Sequence, residues 1–322
     1  MQLFDSTTAR LDQLGRGAVL VARPAAIFEI SGTGAAACLQ GVVTRDVIKP
    51  GPDGFGYGAI LTPKGMIVID LHLARAGDRF FLVTEASARP AALDLFRRLL
   101  PPRLARVTDR SDEMTAVWLL GAEATAALER VVDGVPAPGK AASKSIDGAE
   151  LVVASSEVPS PARHLIIGPE AAVGGIVSGL RSAGMLEGTE ADLRAARVLT
   201  GTPTLGVEID DKTLPQEAGL EALGGVSYDK GCYVGQETVA RLHFRGHANW
   251  LLRGVSFEGT PAETVEREGK PQIRVGTVLT LETGRSIGLA KVRREIGPGE
   301  SLPTPDGGTV AVLDLPLPIV PQ

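Results

Sequence analysis

Between residues 230 and 237 the chain reads Lys-Gly-Cys-Tyr-Val-Gly-Gln-Glu, which places a thiol, an ammonium and two glycines within one short run. Cysteine acts as a nucleophile or metal ligand through its thiolate. The free-thiol pKa of about 8.5 falls beside a lysine or ahead of a helix N-terminus. Gly235 can release the chain into a helix, with Gln236 and Glu237 supplying an acceptor and a negative charge to its first turn. Cys232 then sits just before the helix start and two residues from Lys230, and both features favour thiolate over thiol. The glycines at 231 and 235 let backbone approach a ligand or partner closely. By residue type alone the competing reading is a small buried hydrophobe beside a tight turn, a common state of free cysteine.

Asp70, in Ile67-Val68-Ile69-Asp70-Leu71, is a carboxylate on an apolar strand, by residue type a strand-end group facing solvent or capping a turn. Alternation sets it opposite Ile69 and Leu71 and leaves open which face meets solvent. After the cysteine run come Arg241, His243, Arg245 and His247. If Gly235–His243 is helical, Arg241 and Arg245 share a face and form either an anion site or a solvated basic edge. Iron–sulfur clusters need about four Cys ligands, or two Cys with two His. With only Cys38, Cys232 and four histidines, no resident cluster and no metal site are expected. Cys38 falls on an apolar helical stretch and reads as core. Gly32-Thr33-Gly34 lacks the third glycine of a dinucleotide fingerprint. Asp210-Asp211 lacks metal-ligand spacing.

These residues need a scaffold, and the pattern predicts one rich in short strands. Strands are expected at Ala18–Ala22, Ile27–Ser31, Tyr57–Thr62, Met66–Ala74 and Arg79–Thr84, with a hairpin turn at Pro63-Lys64-Gly65. Helices are expected at Thr33–Asp46 and Ala86–Leu100, the latter stopped by Pro101-Pro102. The order then recurs: strand Met114–Leu120, helix Glu123–Val132, strands Glu150–Ala154 and His164–Ile167, and helices Glu170–Ala183 and Thr189–Leu199. Residues 133–149 read as a surface loop. From Trp250 onward short strands broken by Gly and Pro predict a small barrel, with a loose loop at Glu258–Pro271.

Composition agrees with this plan. The 322 residues suit two or three domains, and 39 glycines with 22 prolines favour turns over long bundled helices. The net charge of −5 is spread along the chain without a basic stripe, so wrapping of duplex nucleic acid is not expected. Met1–Asp5 shows no leader pattern, and no apolar run nears the roughly 20 residues that span a bilayer. A cytoplasmic protein with reduced thiols is the expectation.

The Lys230–Glu237 run resembles the signature of the YgfZ branch of the glycine-cleavage T-protein (aminomethyltransferase) superfamily. Leu39–Val47, the hairpin Tyr57–Gly65, the segments Gly201–Pro203 and Leu214–Leu220, and Phe244-Arg245-Gly246 are similar to further stretches of that family. The resemblance implies an α+β fold of two ferredoxin-like domains plus a C-terminal β-barrel around a folate-sized cavity, divided here as 1–110, 111–245 and 246–322. It implies tetrahydrofolate or a derivative as cofactor, and a role in iron–sulfur assembly or repair and in tRNA modification dependent on it. Iron–sulfur client or assembly proteins would be the partners, with neither duplex nucleic acid nor membrane.

The site that the resemblance implies has Cys232 as reactive thiol and Asp70 as the carboxylate facing folate N10. Lys230, Tyr233, Gln236, Arg241 and Arg245 would bind the ligand, the arginines taking its polyanionic tail. One departure bears on activity: Leu199 stands where a T-protein has a pterin-gripping Glu. That weighs against plain aminomethyl transfer and toward an accessory factor. A folate-dependent one-carbon transferase or demethylase, and a scaffold with a relic cavity, are the rival expectations.

Overall fold

The computed structural model describes residues 6–318 except 147, 159, 160 and 162, so the leader reading at Met1–Asp5 lies outside the described residues. In chain order the elements are α1 (Thr7–Arg16), β1 (Val19–Arg23), β2 (Ala25–Ser31), α2 (Ala35–Gln40), β3 (Phe55–Leu61), β4 (Ile67–Ala76), β5 (Arg79–Glu85) and α3 (Arg89–Leu99). Then come β6 (Arg106–Asp109), β7 (Met114–Leu120), α4 (Ala124–Glu129), β8 (Lys140–Ile146), β9 (Ala149–Ser155), β10 (Arg163–Pro169), α5 (Glu170–Ser182), β11 (Leu186–Glu187) and α6 (Glu190–Thr200). After a long irregular stretch follow α7 (Gln236–Arg245), β12 (Trp250–Glu258), β13 (Thr264–Arg267), β14 (Lys270–Thr280), β15 (Arg285–Arg293), β16 (Ser301–Pro303) and β17 (Thr309–Leu313).

Three sheets carry the molecule. The first is antiparallel with order β3-β4-β5-β2-β6, and one face packs α2 and α3 through Phe28, Leu39, Leu82 and Phe96. The second has order β11-β1-β7-β10-β9-β8 and packs α4 and α5 through Val117, Leu128, Ile166 and Ile176. Their opposite faces meet α6 and the third sheet in one shared core that includes Val21, Phe81, Trp118, Leu199, Leu252 and Leu289. The third sheet, β13-β14-β15-β12-β17-β16, curls around its own core of Val255, Phe257, Ile273 and Val312. This is the α+β architecture with a C-terminal β module expected from the pattern. Among the described residues no helix follows Trp250, and no helix is long and apolar enough to cross a membrane.

Packing crosses the expected boundaries at 110 and 245. β1 joins the second sheet, pairing with β7 and β11, while β2 joins the first. Pro24 separates them: its locked φ and missing N–H break the strand and let the chain change sheets. The irregular segment carrying the cysteine run packs mainly on the first sheet, where Ile209, Leu220, Leu223, Tyr233 and Val239 cover Tyr57, Ala59, Leu61 and Ile67. Other differences are local. The helix expected over 33–46 stops at Gln40. Part of the 133–149 loop is edge strand β8, whose Ala/Ser/Lys composition hides it, and β13 lies within the 258–271 loop.

The two α+β sheets are pinned together by charge. The Arg23 guanidinium at the end of β1 grips Glu85 at the end of β5 at 2.5 and 2.7 Å, and Arg197 of α6 reaches the same carboxylate at 2.6 Å. Burial pushes Glu85 up, but the two arginines more than reverse this and hold it at about 2. A depressed carboxylate contributes stability that is complete above its unfolded pKa and lost as pH falls through the folded one. The native protein should therefore lose melting temperature between about pH 4.5 and 2. Glu85→Gln should be less stable at neutral pH and lose less across that window. Parallel melting curves from pH 7 to pH 2 would refute the clamp.

Candidate functional site

The cysteine run is anchored by its lysine. α2 ends at Gln40, and the turn after it leaves carbonyls without helical partners. Lys230 Nζ donates to three of them, Gln40 at 2.6 Å, Arg45 at 2.9 Å and Val43 at closer range. An ammonium has three N–H donors, so all are engaged. The Tyr233 ring lies 4.8 Å from Nζ and closes the nest from the other side. Burial lowers Lys230 to about 8, with Asp46 opposing. Backbone bonds extend the seam: Val234 N–H to Gly41 O at 3.1 Å, and Ser227 N–H to Thr44 O at 3.0 Å. Gly235 enters α7 at φ 80°, and a Cβ there would lie 2.5 Å from the Thr62 carbonyl of the hairpin turn. Glycine is needed at this position for both conformation and space.

This geometry revises the expected environment of Cys232. The thiol is exposed and lies ahead of Gly235, the residue that caps α7. Lys230 faces inward with every donor taken, so it does not act on the sulfur. Tyr233 is 6% exposed, and its hydroxyl, buried without a partner, is raised to about 12 by burial. Gln236 Oε1 accepts the Tyr233 N–H at 3.3 Å and fixes the turn into α7. Arg241 and Arg245 do lie one turn apart on α7, both exposed. Cys38, half-buried, packs against the first core as expected.

Asp70 is elsewhere, on the opposite face of its strand from Ile69 and Leu71, turned toward the interior between the sheets. Tyr57 Oη donates to its Oδ2 at 2.7 Å, while Oδ1 is buried with no partner. Burial pushes Asp70 up, against the Tyr57 hydrogen bond and the Arg197 charge. A cavity of about 20 Å³, lined by Tyr57, Asp70, His72, Trp118, Arg197 and Thr202 among others, adjoins it. That is room for about one water. Lys230, Tyr233 and Arg245 are not among its lining residues. Tyr57 links the two regions, since its ring packs in the cluster that holds Tyr233. Thr200 and Gly201, next in chain to Thr202, line a second, open cleft of about 500 Å³ with Leu252 and Arg253.

Several interior residues went unread in the sequence. His72 is packed among Phe55, Tyr57 and Trp118 and is held neutral by burial, well below its ordinary value. Arg163 is buried with Nε unpartnered, and burial and then Arg197 lower it to about 10. Tyr57 and Arg197 lie inside noticed motifs, and the signal lay in a charged or phenolic group on an otherwise apolar face. Leu199 lies at the end of α6. Its side chain is fully buried in the shared core, and its carbonyl accepts from Leu317 N–H at 2.7 Å. A Glu there would be buried among leucines, so Leu199→Glu should destabilise the fold, not strengthen ligand binding.

Two ferredoxin-like sheets followed by a C-terminal β module give the glycine-cleavage T-protein fold. The crystal structure of the glycine cleavage system aminomethyltransferase T from Bartonella henselae superposes with a TM-score of 0.80 over 97% of this chain and 88% of that one, at 17% identity. Residues 22–154 match the GCVT N-terminal domain. Sequence comparison is more specific. The tRNA-modifying protein YgfZ of Escherichia coli O157:H7 is 31% identical over 302 residues, covering 91% of this chain and 90% of that protein. The Shigella sonnei protein of the same name is 32% identical over 282 residues, covering 85% and 84%. The chain belongs to the YgfZ family.

Lys230→Met keeps the length of the side chain but leaves three buried carbonyls without a donor. It should lower unfolding free energy by about 2–4 kcal/mol and speed amide exchange over residues 226–235. An unchanged denaturation midpoint would show that the ammonium does not hold the loop.

Proposed function

We propose that the protein binds a reduced folate and acts as an accessory factor in iron–sulfur cluster assembly or repair, and in the tRNA modification that depends on it, with Cys232 as its reactive thiol. The observation that carries this reading is the unpartnered, buried Oδ1 of Asp70, set beside a segment that also lines a cleft of about 500 Å³. A cleft of that size suits a small-molecule ligand. The YgfZ name of the relatives, tRNA-modifying protein, supports the second half.

The residues present fit such a ligand. Asp70 Oδ1 would accept an N–H donor of the ligand, directly or through the single water its cavity has room for. Thr200, Gly201 and Leu252 would flank the ring system in the cleft. A bound reduced folate would supply a carrier for one-carbon units. Arg241 and Arg245, being exposed, would meet a polyglutamate tail only if it runs over the surface to α7. Cys232, exposed ahead of α7, is placed to meet a partner's thiols or iron from solvent. A cytoplasmic setting with reduced thiols suits that exchange. One-carbon transfer with Asp70 as base is the second reading, favoured by the raised Asp70 carboxyl next to the Tyr57 hydroxyl.

Trp118 lines the inner cavity and makes a reporter. Its fluorescence should quench on titration with 5-formyl-tetrahydrofolate, with a Kd in the micromolar range or weaker, and Asp70→Asn should weaken binding about tenfold, or about 1.4 kcal/mol. Absence of saturable quenching would sink the folate reading, and turnover of methylene-tetrahydrofolate would move the second reading ahead. For the thiol, a small alkylating reagent should label Cys232 before Cys38 in the folded protein. Cys232→Ala should melt like the native chain yet lower the activity of iron–sulfur enzymes in a complementation assay. Full complementation would remove the thiol from the mechanism.

A further inference from the structure

We infer that the cleft between the 45–50 loop and the C-terminal half of α7 binds an unpaired nucleobase of single-stranded RNA. This rests on the tRNA half of the reading above and names the surface that would meet the RNA. The cleft has a volume of about 440 Å³, and Arg45, Lys49, Tyr228, Asp229, His243 and Phe244 are among its lining residues.

Its wall is an ordered aromatic platform open to solvent. The Tyr228 and His243 rings are stacked with centroids 3.7 Å apart at 18°. Phe244 stands edge-on to both, at 5.8 Å and 75° to Tyr228 and at 4.8 Å and 89° to His243. Phe244 is 66% exposed, the largest value among the described large hydrophobic residues. Polar bonds fix the platform from behind. Glu221 Oε1 accepts from the Tyr228 hydroxyl and lies 3.3 Å from His243 Nδ1. Gln216 Nε2 donates to Tyr228 Oη at 3.2 Å and to the Val239 carbonyl at 2.9 Å. A rigid ring cluster with a bare hydrophobic member is what base stacking uses, because every base has a π-face.

Charge around the platform suits a nucleotide better than an apolar peptide. Arg45 forms part of the cleft floor, 7% exposed, with its guanidinium turned inward over Gly56 and its Nη1 buried without a partner. Glu157 Oε2 lies at 4.0 Å from its Nη2. Lys49 is exposed on the same loop, and Arg241 and Arg245 add two exposed cations on α7. Asp46, Asp229 and Glu221 offset part of this charge. Asp46 Oδ1 is occupied by Gln40 Nε2 and by the N–H groups of Ile48 and Lys49. Asp229 is exposed at the cleft and can accept from a base's exocyclic amino group. Duplex is excluded by the same geometry, since paired bases present edges to a protein and not faces.

The test is fluorescence anisotropy of the full chain with a 5′-fluorescein-labelled, unstructured ten-nucleotide RNA of A and C, in low salt. The native protein should bind. Phe244→Ala and Tyr228→Leu should each weaken binding roughly five- to hundred-fold. Lys49→Gln should flatten the dependence of log K on log salt by roughly one unit or less. Leu104→Ala, which removes an exposed apolar side chain elsewhere, should leave binding unchanged. Phe244 is exposed, so its removal should leave the melting curve in place. Asp70→Asn should bind RNA normally while binding folate about tenfold more weakly, which separates failure of this site from failure of the folate reading. The inference is overturned if the native chain does not bind the oligonucleotide, if Phe244→Ala binds as tightly as the native chain, or if AMP saturates the cleft while the oligonucleotide does not bind.

Discussion

One ammonium group holds the most chemically distinctive part of this chain in place. Lys230 reaches across nearly 190 residues of sequence to the carbonyls that follow α2 and satisfies three of them at once. The lysine and the carbonyls depend on each other, because a buried charge needs donors matched to acceptors and an orphaned carbonyl is costly. The aromatic ring of Tyr233, the left-handed Gly235 and the start of α7 all take their positions from that contact. Cys232 is then displayed to solvent from a rigid turn, although the cation beside it in sequence is turned away.

The interior beyond the signature is organised on another logic. Arg23, Glu85 and Arg197 join β1, β5 and α6, so the two sheets meet through a charged seam as well as through apolar packing. Next to it Asp70 Oδ1 and Arg163 Nε are buried without hydrogen-bond partners. Native cores seldom leave such groups unpaired, and where they do the site usually has a task beyond stability. Here the unsatisfied atoms lie where the two α+β sheets and the C-terminal module share one core.

Much of this was legible beforehand. The paired α+β halves, the strand at 114–120 and the β-only C-terminal region all follow from periodicity and turn residues, and the signature is specific enough to indicate its relatives. What could not be read were consequences of distant contact. The stretch after Gln40 has helical periodicity, yet it turns aside because its carbonyls serve Lys230. β8 has only one branched residue, Ile146, because an edge strand in contact with solvent can be built from Ala, Ser and Lys. Alignment of a motif placed Leu199 at a ligand position, but alignment carries no information about which way a side chain points. The stacked Tyr228 and His243 are fifteen residues apart, and only the fold of the intervening turn brings them together.

The path of β1 has a consequence for how the molecule is made. Val19 pairs with Leu120 on one side and with Leu186 on the other, so β1 leaves the ribosome long before either partner. At synthesis rates of about 5–20 residues per second, β1 waits roughly 5–20 s for β7 alone. The first sheet can assemble from β2 to β6 during that interval, while the apolar Val19-Leu20-Val21 edge stays uncovered. Contacts this distant in sequence slow folding, and the nascent chain carries an aggregation-prone strand until β7 and then β11 have been made.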